Sequence, residues 1–195
     1  VVPYAEVPEY CRHFAVGMAT LLNVHQYVSI DNLPTKVYEY MGAGLPVVAS
    51  NTLPARALEK DFDCCVCVDP SKPEEIAAAI RMAKARGFSL PFVWNTGGYE
   101  RVETLRALEG LVDIYLTDYK YASSALAARY SAAADYPAVA DAALCEMVRQ
   151  QADCAFDGDL LARGVIVRHL VLPTHADDSC EVVRRVYETY GDRVI

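Results

Sequence analysis

Asp31-Asn32-Leu33-Pro34-Thr35-Lys36-Val37-Tyr38-Glu39-Tyr40-Met41-Gly42-Ala43-Gly44-Leu45-Pro46-Val47-Val48-Ala49-Ser50 is the stretch that decides the fold. A polar loop leads into a helical pattern over 34–44, closed by Gly42 and Gly44. A compact apolar run, 45–50, follows at once, with Pro46 near its start, where a missing N–H matters least. A helix running straight into a buried strand is the repeating unit of an α/β fold with a parallel sheet.

The same alternation extends in both directions. Upstream, a helix near Val7–His13 precedes a strand expected over Ala15–Leu22. Downstream, Val66–Val68 reads as a strand. Ser71-Lys72-Pro73-Glu74 reads as a capping box opening a helix to about Arg86. Further strands are expected over Leu90–Asn95, Leu111–Tyr119 and Val165–Leu172, the last stopped by Pro173. Helices are expected over Gly98–Glu109, near Ser123–Ala134, over Tyr136–Ala152, and from 177–179 to about Tyr190. The chain opens at Val1 and closes on Asp192-Arg193-Val194-Ile195, which reads as the start of a strand, so both ends are read as cut.

Composition narrows the function classes. Hydrophobic residues make up 53% and charged residues 23%, enough apolar surface for a core. The net charge of −8 argues against a nucleic-acid partner, which needs a basic face to displace counterions. No apolar run reaches the length of a membrane span, and no signal peptide is seen, so a cytoplasmic location is expected. The seven cysteines are Cys11, Cys64, Cys65, Cys67, Cys145, Cys154 and Cys180. Cys64 and Cys67 form one C-x-x-C pair without a second to complete a zinc site, and the plainer reading is buried small hydrophobes.

Two constellations carry chemistry. In the first, the helix that follows Asp31 offers first-turn N–H groups, an end that favours anions such as a diphosphate. Glu39, one turn further, could accept hydrogen bonds from ribose hydroxyls; an ordinary capped helix with a surface glutamate explains the same residues. In the second, three strands end in polar residues: Asn95-Thr96-Gly97-Gly98, Asp118-Tyr119-Lys120 and Arg168-His169. In a parallel barrel these ends share one rim, where the site sits. Alternation puts Leu116, Asp118 and Lys120 on one face, so a carboxylate and an ammonium could clamp a zwitterion such as an amino acid. A structural ion pair is the competing explanation. At most one of Arg168 and His169 faces the interior. His13, His25 and His175 have no evident acidic partner.

The first constellation resembles the C-terminal domain of GT-B glycosyltransferases of the glycosyltransferase-4-like kind. Asp31, seven residues and Glu39, then the small-residue turn and Pro46-Val47-Val48, carry the resemblance, which covers about residues 1–80. It implies a Rossmann-like half-domain, with Thr35 and Lys36 by the donor diphosphate and Glu39 on the donor ribose. The family's upstream basic pair and its acceptor domain have no counterpart in this sequence, so glycosyl transfer is not expected of it.

The second resembles radical-SAM proteins of the pyruvate formate-lyase activating-enzyme type. The resemblance rests on 90–100, 112–120 and 163–173, with Arg129-Tyr130-Ser131, Asp135-Tyr136-Pro137, Met147 and Gln150. It implies a partial (β/α) barrel over 81–195 joined to the Rossmann-like segment over 1–80. Asn95, Thr96 and Asp118 would stand by S-adenosylmethionine and a nearby cation, with Lys120 and Arg168 near its methionine group. The C-x-x-x-C-x-x-C motif for a [4Fe–4S] cluster is missing, and Cys64, Cys65 and Cys67 do not have that spacing. Three functions are therefore weighed: a truncated activating-enzyme-like protein fused to a glycosyltransferase fragment, a nucleotide-sugar-binding fragment, and a chimeric chain with no activity. The expected ligand is a small molecule, and the oligomeric state is open.

Overall fold

The computed structural model describes residues 17–19, 33–45, 47–62, 64–69, 71–85 and 91–195. The chain divides into two compact units, Val1–Leu90 and Pro91–Ile195.

In the first unit, strand β1 (Gly17–Ala19), helix α1 (Thr35–Gly42), strand β2 (Val47–Ser50), helix α2 (Leu53–Asp61), strand β3 (Cys65–Val68) and helix α3 (Pro73–Ala85) follow one another. The sheet is parallel, in the order β1-β2-β3, with Val47 opposite both Gly17 and Cys65. Every β2 residue is buried, as expected of a strand covered on both faces. Val37 of α1, Ala55 and Leu58 of α2 and Val47, Ala49 and Cys65 of the strands form one core cluster. Burying a valine as fully as Val37 contributes about 2 kcal/mol.

Helix α2 is an element the sequence analysis did not identify, although its signal was there. The Thr52 hydroxyl caps it by accepting from the Ala55 N–H at 3.4 Å, and a proline stands in its first turn. The entry to α3 also differs from the expected box. Glu75, not Glu74, reaches back to accept from the Asp69 N–H at 2.8 Å, and Ser71 donates to the Asp69 carboxylate. The expected boundary at 80/81 falls inside α3, whereas the compact units part after Leu90. The helix expected near Val7–His13 lies outside the described residues.

The second unit continues with strand β4 (Val93–Thr96), helix α4 (Val102–Ala107), strand β5 (Ile114–Asp118), helices α5 (Ser124–Ser131) and α6 (Tyr136–Gln151), strands β6 (Ala155–Asp157) and β7 (Leu160–Arg168), and helix α7 (Ala176–Tyr190). Its sheet is open, in the order β4-β5-β7-β6; β4, β5 and β7 are parallel, and β6 runs antiparallel to β7. The barrel is not closed. The β6–β7 hairpin was not expected; it turns at Asp157-Gly158-Asp159, where Gly158 has φ +59°. Strand β7 therefore starts earlier than expected and stops at Arg168, leaving Leu170 and Val171 exposed. The terminal run is a short 3-10 turn (Gly191–Arg193), after which Ile195 donates to the Val165 carbonyl and accepts from the Val167 N–H.

Alternation along β5 assigns its two faces. Tyr115, Thr117 and Tyr119 are almost fully buried. Tyr115 and Tyr119 reach α6 by donating to Gln150 and Asp141, both at 2.6 Å. Leu116 and Asp118 point to the other, more open face. A buried polar knot fastens α6 to α4. The Glu146 carboxylate accepts from Arg149 at 2.7 Å and from Gln150 at 2.9 Å, and Arg106 lies 3.5 Å away. These donors, Arg149 foremost, hold its carboxyl down at about 2.

Candidate functional site

In the first unit, Thr35 opens α1 and is exposed, and Glu39 is half-buried one turn further on. Pro34 precedes the helix without giving it a side-chain cap, and the first turn holds no acidic residue. That end of α1 therefore presents a partial positive charge with no carboxylate in its first turn to offset it. Lys36 lies in the first turn, but its side chain and the whole of Asp31 lie outside the described residues.

In the second unit, the strand ends bring four of the five expected residues into contact. Asp118 and Arg168 are ladder partners on β5 and β7, and the Arg168 guanidinium donates to the Asp118 carboxylate at 2.6 Å. The same guanidinium donates to the Asn95 side-chain oxygen at 3.3 Å, spanning three strands. Lys120 Nζ stands 3.5 Å from the second Asp118 oxygen. Two cations thus share one carboxylate, leaving a positive charge in excess that suits an anionic ligand group. Asp118 is largely shielded while Arg168 is half-exposed, so the rim is open to solvent on the guanidinium side. Thr96 is buried and turned elsewhere: its hydroxyl donates to Glu100 at 2.5 Å and accepts from the Gly98 N–H at 3.3 Å.

The choice between Arg168 and His169 is resolved by alternation. Arg168 faces the rim, and His169 turns away, its Nδ1 lying 2.6 Å from the Tyr119 carbonyl. A carbonyl only accepts, so Nδ1 carries a proton, and Nε2 is buried without a hydrogen-bond partner among the described residues. His175 meets the Tyr130 hydroxyl at 3.1 Å. His13 and His25 lie outside the described residues.

Sequence reasoning missed Tyr136. Its side chain is buried beneath the rim, and its hydroxyl accepts from the Lys120 N–H at 3.0 Å. The hydroxyl proton faces the Gly97 carbonyl at 2.9 Å and the Asp118 carbonyl at 3.2 Å. Tyr99 stacks on its ring and Tyr121 meets it edge-on. Burial pushes its phenol up to about 12, so it remains a hydroxyl at neutral pH. The available signal was a tyrosine at the start of a helix amid a tyrosine-rich segment, which does not specify a target.

The thiols of β3 are held protonated in the free protein. Cys65 is buried on β3, and burial raises its thiol; Cys67 is pushed up to about 12 by burial and by the neighbouring Cys65 and Glu59. Among the described residues no group of three or more His, Cys, Asp or Glu side chains could hold a metal ion. Nor is any described helix long and apolar enough to cross a membrane.

A comparison with protein families bears on the first unit. A family model described as glycosyl transferases group 1 matches residues 2–89. A Methanocaldococcus jannaschii protein described as uncharacterized is 32% identical over 95 residues, 49% of this chain and 24% of the relative. The chain thus spans about a quarter of that curated relative's length. No solved structure matches. Nothing in these comparisons supports the radical-SAM resemblance.

Proposed function

We propose that the first unit is the donor-binding part of a group 1 glycosyltransferase domain and binds a nucleotide-sugar. The family match over 2–89 carries this reading. The parallel β1-β2-β3 sheet and the exposed start of α1 support it. The diphosphate would sit against the first turn of α1, by Thr35 and Lys36. Glu39 would accept from the ribose hydroxyls, and Asp31 belongs to the same candidate set. A thermal melt of the whole chain with millimolar UDP-glucose tests this. Binding raises the midpoint, and Glu39→Gln reduces the rise. An unchanged midpoint in the unsubstituted chain sinks the reading.

A second reading concerns the second unit and is motivated by the Asp118–Arg168–Asn95–Lys120 cluster. We propose that this rim binds the amino-acid end of a small molecule. The Arg168 guanidinium would meet its carboxylate and the Asp118 carboxylate its ammonium. S-adenosylmethionine is the candidate that the sequence resemblance suggests. No step through an iron–sulfur cluster is proposed, because this sequence has no C-x-x-x-C-x-x-C spacing to hold one. The same melt with S-adenosylmethionine separates the readings: a rise abolished by Arg168→Ala supports the rim, and a rise indifferent to that substitution removes it.

A further inference from the structure

We infer that Tyr136 is a positioning residue that sets the spacing of the β4 and β5 ends through one hydroxyl group. The inference rests on the second reading above, that the rim of the second unit takes a ligand. Asp118 is the hub of that rim, and the β4–β5 ladder ends at the Thr96–Thr117 pair, one residue short of it. Beyond that pair, the turn after β4 and the end of β5 are bridged from beneath the rim. The Tyr136 hydroxyl lies between the two strand ends, taking the Lys120 N–H at 3.0 Å and facing the Gly97 and Asp118 carbonyls at 2.9 and 3.2 Å. The backbones are already as close as they can be, since a Cβ on Gly98 would collide with the Asp118 carbonyl oxygen.

The tyrosine is itself held. Its ring is buried, with Tyr99 stacked at 5.9 Å between centroids and Tyr121 edge-on at 5.4 Å. Tyr99 donates to Asp135, the residue before α6, at 2.7 Å. Through this one hydroxyl, the start of α6 fixes the backbone flanking both Asp118 and Lys120. A bulky apolar residue could fill the same space but could not satisfy the Lys120 N–H or the two carbonyls, each costly to bury unpaired. The requirement is for a phenol, not merely a ring.

The test compares the whole chain with Tyr136→Phe and, as a control, Tyr130→Phe, whose hydroxyl meets His175. S-adenosylmethionine affinity is measured by calorimetry and amide exchange by mass spectrometry or NMR. The Phe variant is expected to melt cooperatively and to bind about tenfold more weakly, one hydrogen bond's worth. The Lys120 amide should exchange about tenfold faster, while the amides of Tyr115 and Leu116 within β5 keep their protection. Tyr130→Phe should leave the Lys120 amide unchanged. Binding within twofold of the unsubstituted chain, or an unaltered Lys120 amide, overturns the inference. If the unsubstituted chain shows no response to S-adenosylmethionine, the ligand reading fails, and the exchange result alone decides whether Tyr136 orders the strand ends. Should Tyr136→Phe not fold, 3-fluorotyrosine at the same position keeps the volume and weakens the acceptor. The same changes are then expected at smaller amplitude, and their absence overturns the inference.

Discussion

Asp118 and Arg168 are paired twice over: their backbones are partners in the β5–β7 ladder, and the Arg168 side chain donates to the Asp118 carboxylate at 2.6 Å. The ion pair is thus set on two adjacent strands and is not formed by long side chains meeting from separate loops. Asp118→Asn keeps the shape and removes the charge that Arg168 and Lys120 share. Because Arg168 is half-exposed, the loss of stability should be small, about 1 kcal/mol by urea titration. S-adenosylmethionine binding, if the rim takes it, should fall by more than tenfold in calorimetry.

Glu146 makes stability depend on acid. Its folded carboxyl titrates near 2, below the ordinary value of 4.5, because Arg149, Gln150 and Arg106 favour its charged form. A depressed carboxyl contributes its full stabilisation above the unfolded value and loses it as pH falls from about 4.5 towards 2. Glu146→Gln should cost about 2 kcal/mol at pH 7, and the gap from the unsubstituted protein should close over that window. Melts at pH 7, 4, 3 and 2 would show it; a gap independent of pH would contradict the assignment.

Gly98 has φ +77° and no space for a Cβ, which would strike the Asp118 carbonyl. Gly98→Ala should therefore destabilise by about 2–3 kcal/mol in denaturant unfolding. At Gly97 the same addition meets only Lys120 Nζ at 3.6 Å, so Gly97→Ala should be close to neutral. Equal costs at the two glycines would refute the close approach.

Ala132 ends α5 in a left-handed conformation, φ 52° and ψ 28°, a position that favours glycine. Ala132→Gly should raise stability by about 0.5–1 kcal/mol, measured as a higher denaturant midpoint with unchanged slope.

The cysteines should differ in reactivity. Cys145 and Cys180 are exposed, whereas Cys65 is buried and Cys67 is raised to about 12. Iodoacetamide at pH 8 should label Cys145 and Cys180 well before Cys65 and Cys67, as peptide mass spectrometry would register.

Much of the α/β alternation was legible because burial leaves a periodic trace. The all-buried β2 and the alternating β5 are of this kind, and so is the placing of Asn95, Asp118, Lys120 and Arg168 at strand ends. Helix α2 was overlooked because its apolar face within the chain is only Ala55 and Leu58. The β6–β7 hairpin was hidden by expecting every strand to be parallel, although Asp157-Gly158 is a common turn pair. The resemblance places Thr96 beside Asn95 at the rim, yet alternation along β4 sends it to the buried face. Tyr136 could not be assigned a role, since its hydroxyl acts on backbone groups 16 to 39 residues away.

The two margins of the second sheet are not equivalent. Beyond β5, strand β7 is covered along its far side by β6 through 160–163 and by Ile195 at 165–167. On the opposite margin, β4 has β5 as its sheet partner among the described residues, and its Val93 is exposed. Among the described residues, the backbone of β7 is therefore already paired on its β5 side over 164–168 and on its far side over 160–167, which leaves no place there for a further strand.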